Sequence, residues 1–191
     1  MTIDDGIFGM FGRFEGVAAF AVIVIAVIWF VVAYNNLTAA SQRTARAWGN
    51  VDALLRQRHD EIVRFIDACR PHLRQYQTAL DRVLAARDTA FGARQARDTA
   101  ALSPAERELH AALSEVTGLV ERTAGLADDE TLAALRKRLA QFDSELTERL
   151  AIFNDAVQQN NRAVGQFPGN VIALLGGFRA VPPFDVERGQ G

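Results

Sequence analysis

The chain has 191 residues, of which 49% are apolar and 23% are charged, and its formal net charge is −2. This composition is that of a folded protein and excludes wholesale disorder. A net charge so close to zero gives no electrostatic indication of nucleic acid, so we expect no nucleic-acid partner. The single cysteine, Cys69, excludes an internal disulfide and a cysteine metal cluster.

The first predicted element is a transmembrane helix over residues 16–34, which contain no charged side chain and many Val, Ile, Ala and Phe residues. At a rise of about 1.5 Å per residue, a helix of this length just crosses the hydrocarbon core of a bilayer. A cleaved signal peptide is one alternative, but the acidic start of the chain and the long apolar run argue against it. A buried soluble helix is the other, and apolar character on all sides argues against it. The lipid bilayer is therefore the first predicted partner.

The charges that flank this helix predict its orientation. Arg13 is the only basic residue before it, whereas four arginines follow it closely: Arg43, Arg46, Arg56 and Arg58. Because basic residues accumulate on the cytoplasmic side of a span, we expect the C-terminal body in the cytoplasm and the N-terminus outside. Residues 1–15, rich in Phe and Gly, are predicted to be a short extracytoplasmic or interfacial segment.

Residues 35–167 are predicted to be helical nearly throughout, as one bundle. Apolar residues recur at steps of three and four on one stripe: Leu37, Trp48, Val51, Leu55, Ile62, Phe65, Cys69, Leu73, Tyr76, Leu80 and Val83. Pro71 interrupts this stripe. The unbroken register favours a kink within one helix, which would give three longer helices. A chain reversal at Pro71 is the alternative, and it would give four antiparallel arms.

Two later helix starts have recognisable signals. Ser103 is predicted to cap a helix that has Pro104 in its first position and Glu106 in its third, the pattern of a capping box. Gly125 is predicted to stop that helix, and Asp128 to cap the last long one. The connections are short, so neighbouring helices are expected to be antiparallel.

Seven residues are candidates for packing or interaction. Trp48 lies on the apolar stripe, and we interpret it as a packing anchor. Asn160 is a polar residue in the apolar seam of the last long helix, where such a residue typically fixes register. The other five belong to the predicted C-terminal apolar segment and tail, residues 168–191: Val171, Ile172, Leu174, Leu175 and Phe178.

The C-terminal segment begins with a helix break at Pro168 and ends its apolar part at Gly176 and Gly177. A short apolar helix in between is too short to cross a bilayer. Two interpretations stay open: a cover over the end of the bundle, or a membrane or subunit contact. We expect the apolar face to pack on the helix around residues 34–48, or on that helix of a neighbouring subunit.

No residue pattern specifies a reaction. His59, His72 and His110 are too far apart for a helical metal pair. His59, Asp60 and Glu61 are adjacent and point to different helix faces, so we interpret them as solvated. A phosphate-binding loop and a nucleophile elbow are both missing from the sequence. We therefore predict no catalytic residue, no cofactor site, no metal site and no enzymatic activity.

Two segments resemble the LemA family. The first, "YNNLTAASQRTARAWGNVDALLRQRHDEI", matches its opening pattern at Tyr34, Asn35, Ala47, Trp48, Val51, Asp52, Leu55, Arg56, Arg58 and Asp60. The second, "IFNDAVQQNNRAVGQFPGNVIALLGGF", resembles its closing signature at Asn154, Val157, Asn161, Val164, Phe167, Pro168, Ala173, Gly177 and Phe178. The chain departs from the family pattern at Phe153 and Asn160, where Tyr is usual, at Val63 in place of Pro, and at Pro71 near a usual Gly. It also has "GLADDETL" where the family has a Tyr-Pro segment.

The resemblance implies a single-pass protein of the bacterial inner membrane with an antiparallel helical bundle, which favours four arms. It implies no agreed activity, although members are linked to envelope quality control beside a membrane metallopeptidase and to membrane organisation. We expect a non-enzymatic scaffold or adaptor that forms homo-oligomers, with a membrane metallopeptidase as a further partner. The alternative is an enzyme with a cryptic acid-base or metal site between helices, which converging acidic and histidine side chains would favour.

Overall fold

The computed structural model of the chain describes residues 4–184, with side chains described from residue 16 onward. Within that range it has five α-helices: α1 (Asp4–Cys69), α2 (Gln77–Gln95), α3 (Thr99–Arg122), α4 (Glu130–Gly165) and α5 (Gly169–Gly176). A 3-10 turn, Arg74–Tyr76, precedes α2. Residues 4–184 contain no strand, so the predicted all-α fold is confirmed. The interfacial segment predicted for residues 1–15 lies outside the described side chains.

The chain reverses direction at Pro71. Helix α1 ends at Cys69, and residues 70–72 form a turn in which Pro71 is exposed. Arg94 on α2 pairs with Asp52 on α1 at 2.7 Å, and Arg87 lies 4.0 Å from Asp60. Residue numbers fall along α1 as they rise along α2, so the two helices are antiparallel. The four-arm arrangement is therefore confirmed and the kink is wrong, because the apolar spacing simply continues from one helix onto the next.

Ion pairs and hydrogen bonds place the other two arms in the same way. Arg82 on α2 pairs with Glu108 and Glu115 on α3, at 2.7 and 3.0 Å. Between α1 and α4, the Thr44 hydroxyl donates to the Ala156 carbonyl oxygen at 3.1 Å. Farther along, α1 and α4 are joined again by the ion pair of Arg58 and Asp143, described below. The four long helices therefore form an antiparallel bundle.

Helix α3 begins at Thr99, five residues before the predicted first position at Pro104. The Asp98 carboxylate accepts a hydrogen bond from the Ala101 amide at 3.0 Å. Ser103 lies within the helix, where its hydroxyl donates to the Thr99 carbonyl oxygen. Pro104 also lies inside the helix. The capping box predicted at Ser103 is wrong, because Asp98 caps the helix. Pro104 lies in the second turn, where it removes one backbone hydrogen bond of the helix.

The turn before α4 has the predicted stop but a different cap. Gly125 has a φ of +83°, a conformation that glycine adopts at little cost. The Asp129 carboxylate accepts from the Leu132 amide at 2.9 Å. The cap is thus Asp129, not Asp128 as predicted. The two acids are adjacent, and sequence alone does not distinguish them.

The chain divides into two compact units. The bundle unit comprises Arg43–Gln158 and Val181–Gly191, and the apolar unit comprises Met1–Gln42 and Gln159–Ala180. Residues of α1 and α4 occur in both. The bundle unit has a continuous core that includes Val51, Leu55, Ile62, Phe65, Cys69, Leu80, Val83, Leu109, Val116, Leu146 and Phe153. The apolar unit has a small core formed by Leu37, Ile172 and Ala173.

Candidate functional site

The surface of the apolar unit carries apolar side chains where a soluble protein would carry polar ones. From residue 16 to residue 34 every residue of α1 except Ala33 is exposed, and none is charged. This part of α1 is long and apolar enough to cross a membrane, and none of its residues is buried by the rest of the protein. Helix α1 therefore contains a candidate membrane span at the place the sequence predicted.

Helix α5 lies against α1 in the same unit. Ile172 and Ala173 are buried against Leu37, and the ring of Phe178 contacts the ring of Tyr34 with centroids 5.8 Å apart. Gly177, with a φ of +71°, is the C-cap of α5, and the chain leaves the helix at this residue. Because these contacts use only one side of α5, its other side is not covered by the described residues of this chain.

That uncovered side carries three of the five predicted contact residues. Leu174 is 85% exposed, Leu175 is 75% exposed and Val171 is about half exposed. Phe167, just before α5, is 73% exposed, and its ring lies 5.5 Å from that of Trp29 on α1. The apolar surface of α1 thus extends onto α5.

Two asparagines of α4 hold the segment that follows α5. In the apolar unit, Asn160 is buried and its amide donates to the Arg179 carbonyl oxygen at 3.2 Å. In the bundle unit, the Asn154 amide donates to the Phe184 carbonyl oxygen at 2.8 Å and accepts from the Phe184 amide at 2.9 Å. Asn160 therefore fixes the C-terminal segment through a backbone carbonyl.

Trp48 is half-buried in the bundle unit and lies between two aromatic rings. Its ring centroid is 5.4 Å from that of Phe153 and 6.1 Å from that of Phe184. Phe184 itself has no exposed surface. The three rings, together with the paired hydrogen bonds of Asn154, form what we call the C-terminal clasp.

A group of ionisable side chains lies inside the bundle. Arg58 donates to Glu106 at 3.0 Å and to Asp143 at 2.8 Å. His59 Nε2 is 2.7 Å from the second oxygen of Glu106. His59 and Glu106 are each only 1% exposed. We call Arg58, His59, Glu106 and Asp143 the ionic cluster; it joins α1, α3 and α4 in the middle of the core.

Glu61 adds a second buried acid next to this cluster on α1. Arg64 donates to one of its oxygens at 3.3 Å, and Arg138 lies 3.1 Å from the other without hydrogen-bond alignment. The prediction that His59, Asp60 and Glu61 are all solvated is therefore wrong for His59 and Glu61. His59 lies on the face of α1 that α3 covers, and Glu61 lies on the face near Arg138 of α4. Only Asp60, between them, faces the solvent.

The ionic cluster has the chemical groups of an acid-base site but not the access. His59 Nδ1 is buried without a hydrogen-bond partner. A substrate would need to reach that nitrogen or the Glu106 carboxylate, and the surrounding side chains cover both. In this conformation the arrangement can neutralise charge and fix the register of three helices, which is a known use of buried polar groups.

A further ion pair links α1 to α2. The Asp52 carboxylate accepts hydrogen bonds from Arg94 and from Arg56, each at 2.7 Å. Burial alone would raise the pKa of Asp52, but the hydrogen bonds and charges of these two arginines outweigh it. The pKa of Asp52 is therefore held below its ordinary value of 3.8.

Comparison with known protein families shows to which family the chain belongs. The family model described as "LemA family" matches residues 47–190, about three quarters of the chain. The chain belongs to the LemA family. Comparison with curated proteins gives no match.

Several residues that resemble the LemA patterns come together in the structure. Trp48 and Asn154, from the opening and closing motifs, meet in the C-terminal clasp. Asp52 and Arg58, from the opening motif, hold α1 to α2 and to α3 and α4. Tyr34 and Phe178 meet in the apolar unit. In this LemA chain, the two motifs therefore build internal contacts that fix the bundle and its C-terminal segment.

The buried acid of the ionic cluster was missed by reasoning from the sequence, although a signal was present. Glu106 stands four residues after Leu102 and three before Leu109, so it occupies the apolar stripe of α3. His59 likewise stands four residues after Leu55 and three before Ile62. A charged residue on an apolar stripe must either reach solvent through a gap in the packing or pair with another buried polar group. Here Glu106 and His59 pair with each other.

Other chemistry is limited in the part of the chain that the structure describes. Cys69 is buried in the core, and burial raises the pKa of its thiol to about 11, so the thiol is held in its unreactive form. Among residues 16–184 no group of three His, Cys, Asp or Glu side chains is placed to hold a metal ion.

Proposed function

We propose that this LemA protein is a non-enzymatic scaffold or adaptor, anchored by α1 in the bacterial inner membrane, with its N-terminus outside and its bundle in the cytoplasm. One observation carries the proposal: a charge-free stretch of α1 in which no residue is buried continues, within the same helix, into residues of the bundle core. The buried histidine and the buried acid that converge between helices, His59 and Glu106, pair with each other in the ionic cluster.

The scaffold role also fits the outer surface of the bundle. Ile152 on α4 is 61% exposed in a unit whose other large aliphatic side chains are mostly buried. Ile152 therefore offers a position on that surface at which contact with a second copy or another membrane protein can be probed. We propose homo-oligomers as the working form, and a membrane metallopeptidase as the partner that would link the protein to envelope quality control.

Crosslinking in native membranes tests this role. The chain has one lysine, Lys137, so amine-reactive reagents have little to react with. A photo-crosslinking amino acid in place of Ile152 should yield products larger than one chain, identified by mass spectrometry. The same group in place of Glu148, exposed on the same helix, is the matched control. Failure of both positions to form any larger product would contradict the scaffold role.

Cysteine labelling tests the orientation. A cysteine in place of Asp5 should react with a membrane-impermeant thiol reagent in intact cells, whereas one in place of Asp128 should react only after lysis. Buried Cys69 provides little background. Reversed labelling would place the bundle outside the cytoplasm and contradict the proposed orientation.

An enzyme is the second candidate, favoured by the ionic cluster, where acidic and histidine side chains converge between helices as that alternative requires. Its test uses the three histidines of the chain. His72 is exposed and His110 is half-buried, so both should react with diethyl pyrocarbonate, while His59 should not. If His59 reacts as fast as His72 in the folded protein, the cluster is open to small molecules and the enzyme interpretation is favoured.

A further inference from the structure

The uncovered side of α5 is an exposed apolar surface. Three large apolar side chains are exposed on this helix of eight residues, Val171, Leu174 and Leu175, and Phe167 just before it is a fourth. A surface helix in water would show polar residues on that side. Asn170 is the only polar side chain between Phe167 and Phe178. Exposed apolar patches of this kind typically mark contact with a membrane or a protein.

The neighbours of α5 point to lipid. Phe167 contacts Trp29 within the candidate span, and Phe178 contacts Tyr34 at its end. Both contacts lie inside the apolar unit. Aromatic side chains of this type gather at the level where the hydrocarbon core meets the lipid headgroups. The exposed face of α5 is thus continuous with the surface of α1 at the place where a span leaves the bilayer.

The charges of the apolar unit agree with this placement. Residues 16–42 and 159–180 contain two charged side chains, Arg162 and Arg179, and both are exposed. Arg179 directly follows Phe178, and Arg162 lies in the last turn of α4. Exposed arginines beside an apolar face are suited to the anionic headgroups of a cytoplasmic leaflet. No acidic side chain in those two ranges opposes that attraction.

We infer that α5 and Phe167 form a second membrane contact, which inserts Phe167, Val171, Leu174 and Leu175 into the inner leaflet beside α1, with Arg162 and Arg179 at anionic headgroups. This inference rests on the proposed membrane anchoring by α1. Helix α5 is too short to cross a bilayer, so it lies at the interface and the chain returns to the cytoplasmic side.

Site-directed fluorescence on the full chain tests the contact. In a Cys69→Ala background, Leu174→Cys is labelled with an environment-sensitive dye, and the protein is reconstituted into vesicles of phosphatidylcholine and phosphatidylglycerol. We expect a blue-shifted emission, strong quenching by a lipid spin label near the headgroup, and protection from aqueous iodide. A label at Glu148→Cys, exposed on α4, is the control and should show the opposite behaviour.

The other outcomes overturn the inference in distinguishable ways. Iodide quenching at Leu174→Cys without lipid quenching would place α5 in water. Protection from both quenchers, together with disulfide crosslinks between unlabelled Leu174→Cys copies after mild oxidation, would mean that a second copy covers the face. A label at Phe20→Cys reports on the span by itself. Lipid quenching there but not at Leu174→Cys would leave the anchor standing and reject the second contact.

Discussion

Phe65 in the bundle unit and Leu174 in the apolar unit are both large apolar side chains, yet the first has no exposed surface and the second is 85% exposed. The charges show a matching contrast. Residues 16–42 and 159–180 of the apolar unit contain only two charged side chains, Arg162 and Arg179, whereas the bundle exposes many, among them Arg56 and Arg82. The hydrophobic effect orders side chains against water in the first unit. The second unit is arranged as if its solvent were hydrocarbon.

The largest difference is expected for a charge placed on a leucine in each unit. Leu146→Glu puts an unpaired carboxylate into the bundle core and should destabilise it by at least about 4 kcal/mol. Leu174→Glu should leave the unfolding of the bundle unchanged, because that residue is outside its core. Thermal unfolding of the full chain in detergent, followed by circular dichroism, measures both. Equal losses would mean that α5 belongs to the cooperative core.

The next effect concerns two glutamates two residues apart on α3. Glu106→Gln removes the charge that Arg58 and His59 share in the ionic cluster. Breaking a buried ion pair costs roughly 3–5 kcal/mol, and we expect about 3 because Asp143 still pairs with Arg58. Glu108→Gln removes an exposed partner of Arg82 and should have a much smaller effect. Denaturant unfolding compares the two variants, and similar midpoints would contradict a structural role for the cluster.

Two tryptophans provide a smaller contrast. Trp48→Ala removes a ring from the C-terminal clasp, between Phe153 and Phe184. A fully buried tryptophan would cost roughly 3–5 kcal/mol, and the partial exposure of Trp48 lowers our expectation to about 2. Trp29→Ala should not affect the unfolding of the bundle, since Trp29 lies in the candidate span. An unchanged Trp48→Ala transition would show that the ring is free for a partner.

The sequence predicted elements whose cause is local. The uncharged run of residues 16–34 and the three-and-four spacing of Leu55, Ile62 and Phe65 each follow from neighbouring residues, and the structure agrees with both. Gly125 and Gly177 were predicted as breaks, and both have positive φ. Such features need no knowledge of the rest of the chain.

What the sequence did not predict depends on residues far apart in the chain. At Pro71 a kink and a reversal preserve the same apolar spacing, and only the pairing of α1 with α2 decides between them. Glu106 was assigned to a capping box because its local pattern fits one. Its partners, Arg58 and His59, are 48 and 47 residues away. The sequence of α5 likewise does not distinguish its exposed face from its buried face. The contact of Ile172 and Ala173 with Leu37, more than 100 residues earlier in the chain, makes that distinction.

The last and smallest effect is on the acid stability of the bundle, through Asp52. Arg94 and Arg56 hold the pKa of Asp52 below 3.8 despite partial burial, so the folded protein binds fewer protons at this site than the unfolded chain. The stability from this ion pair is fully present well above pH 3.8 and is lost as the pH falls through the lowered pKa.

Asp52→Asn should therefore destabilise the bundle at neutral pH, and its difference from the wild type should shrink as the pH falls below 3.8. Denaturant unfolding of the full chain in detergent across that range measures the difference. In an Arg94→Gln background the same substitution should have a weaker effect, because only Arg56 still pairs with the carboxylate. A difference that stays constant with pH would show that Asp52 contributes through packing and not through its charge.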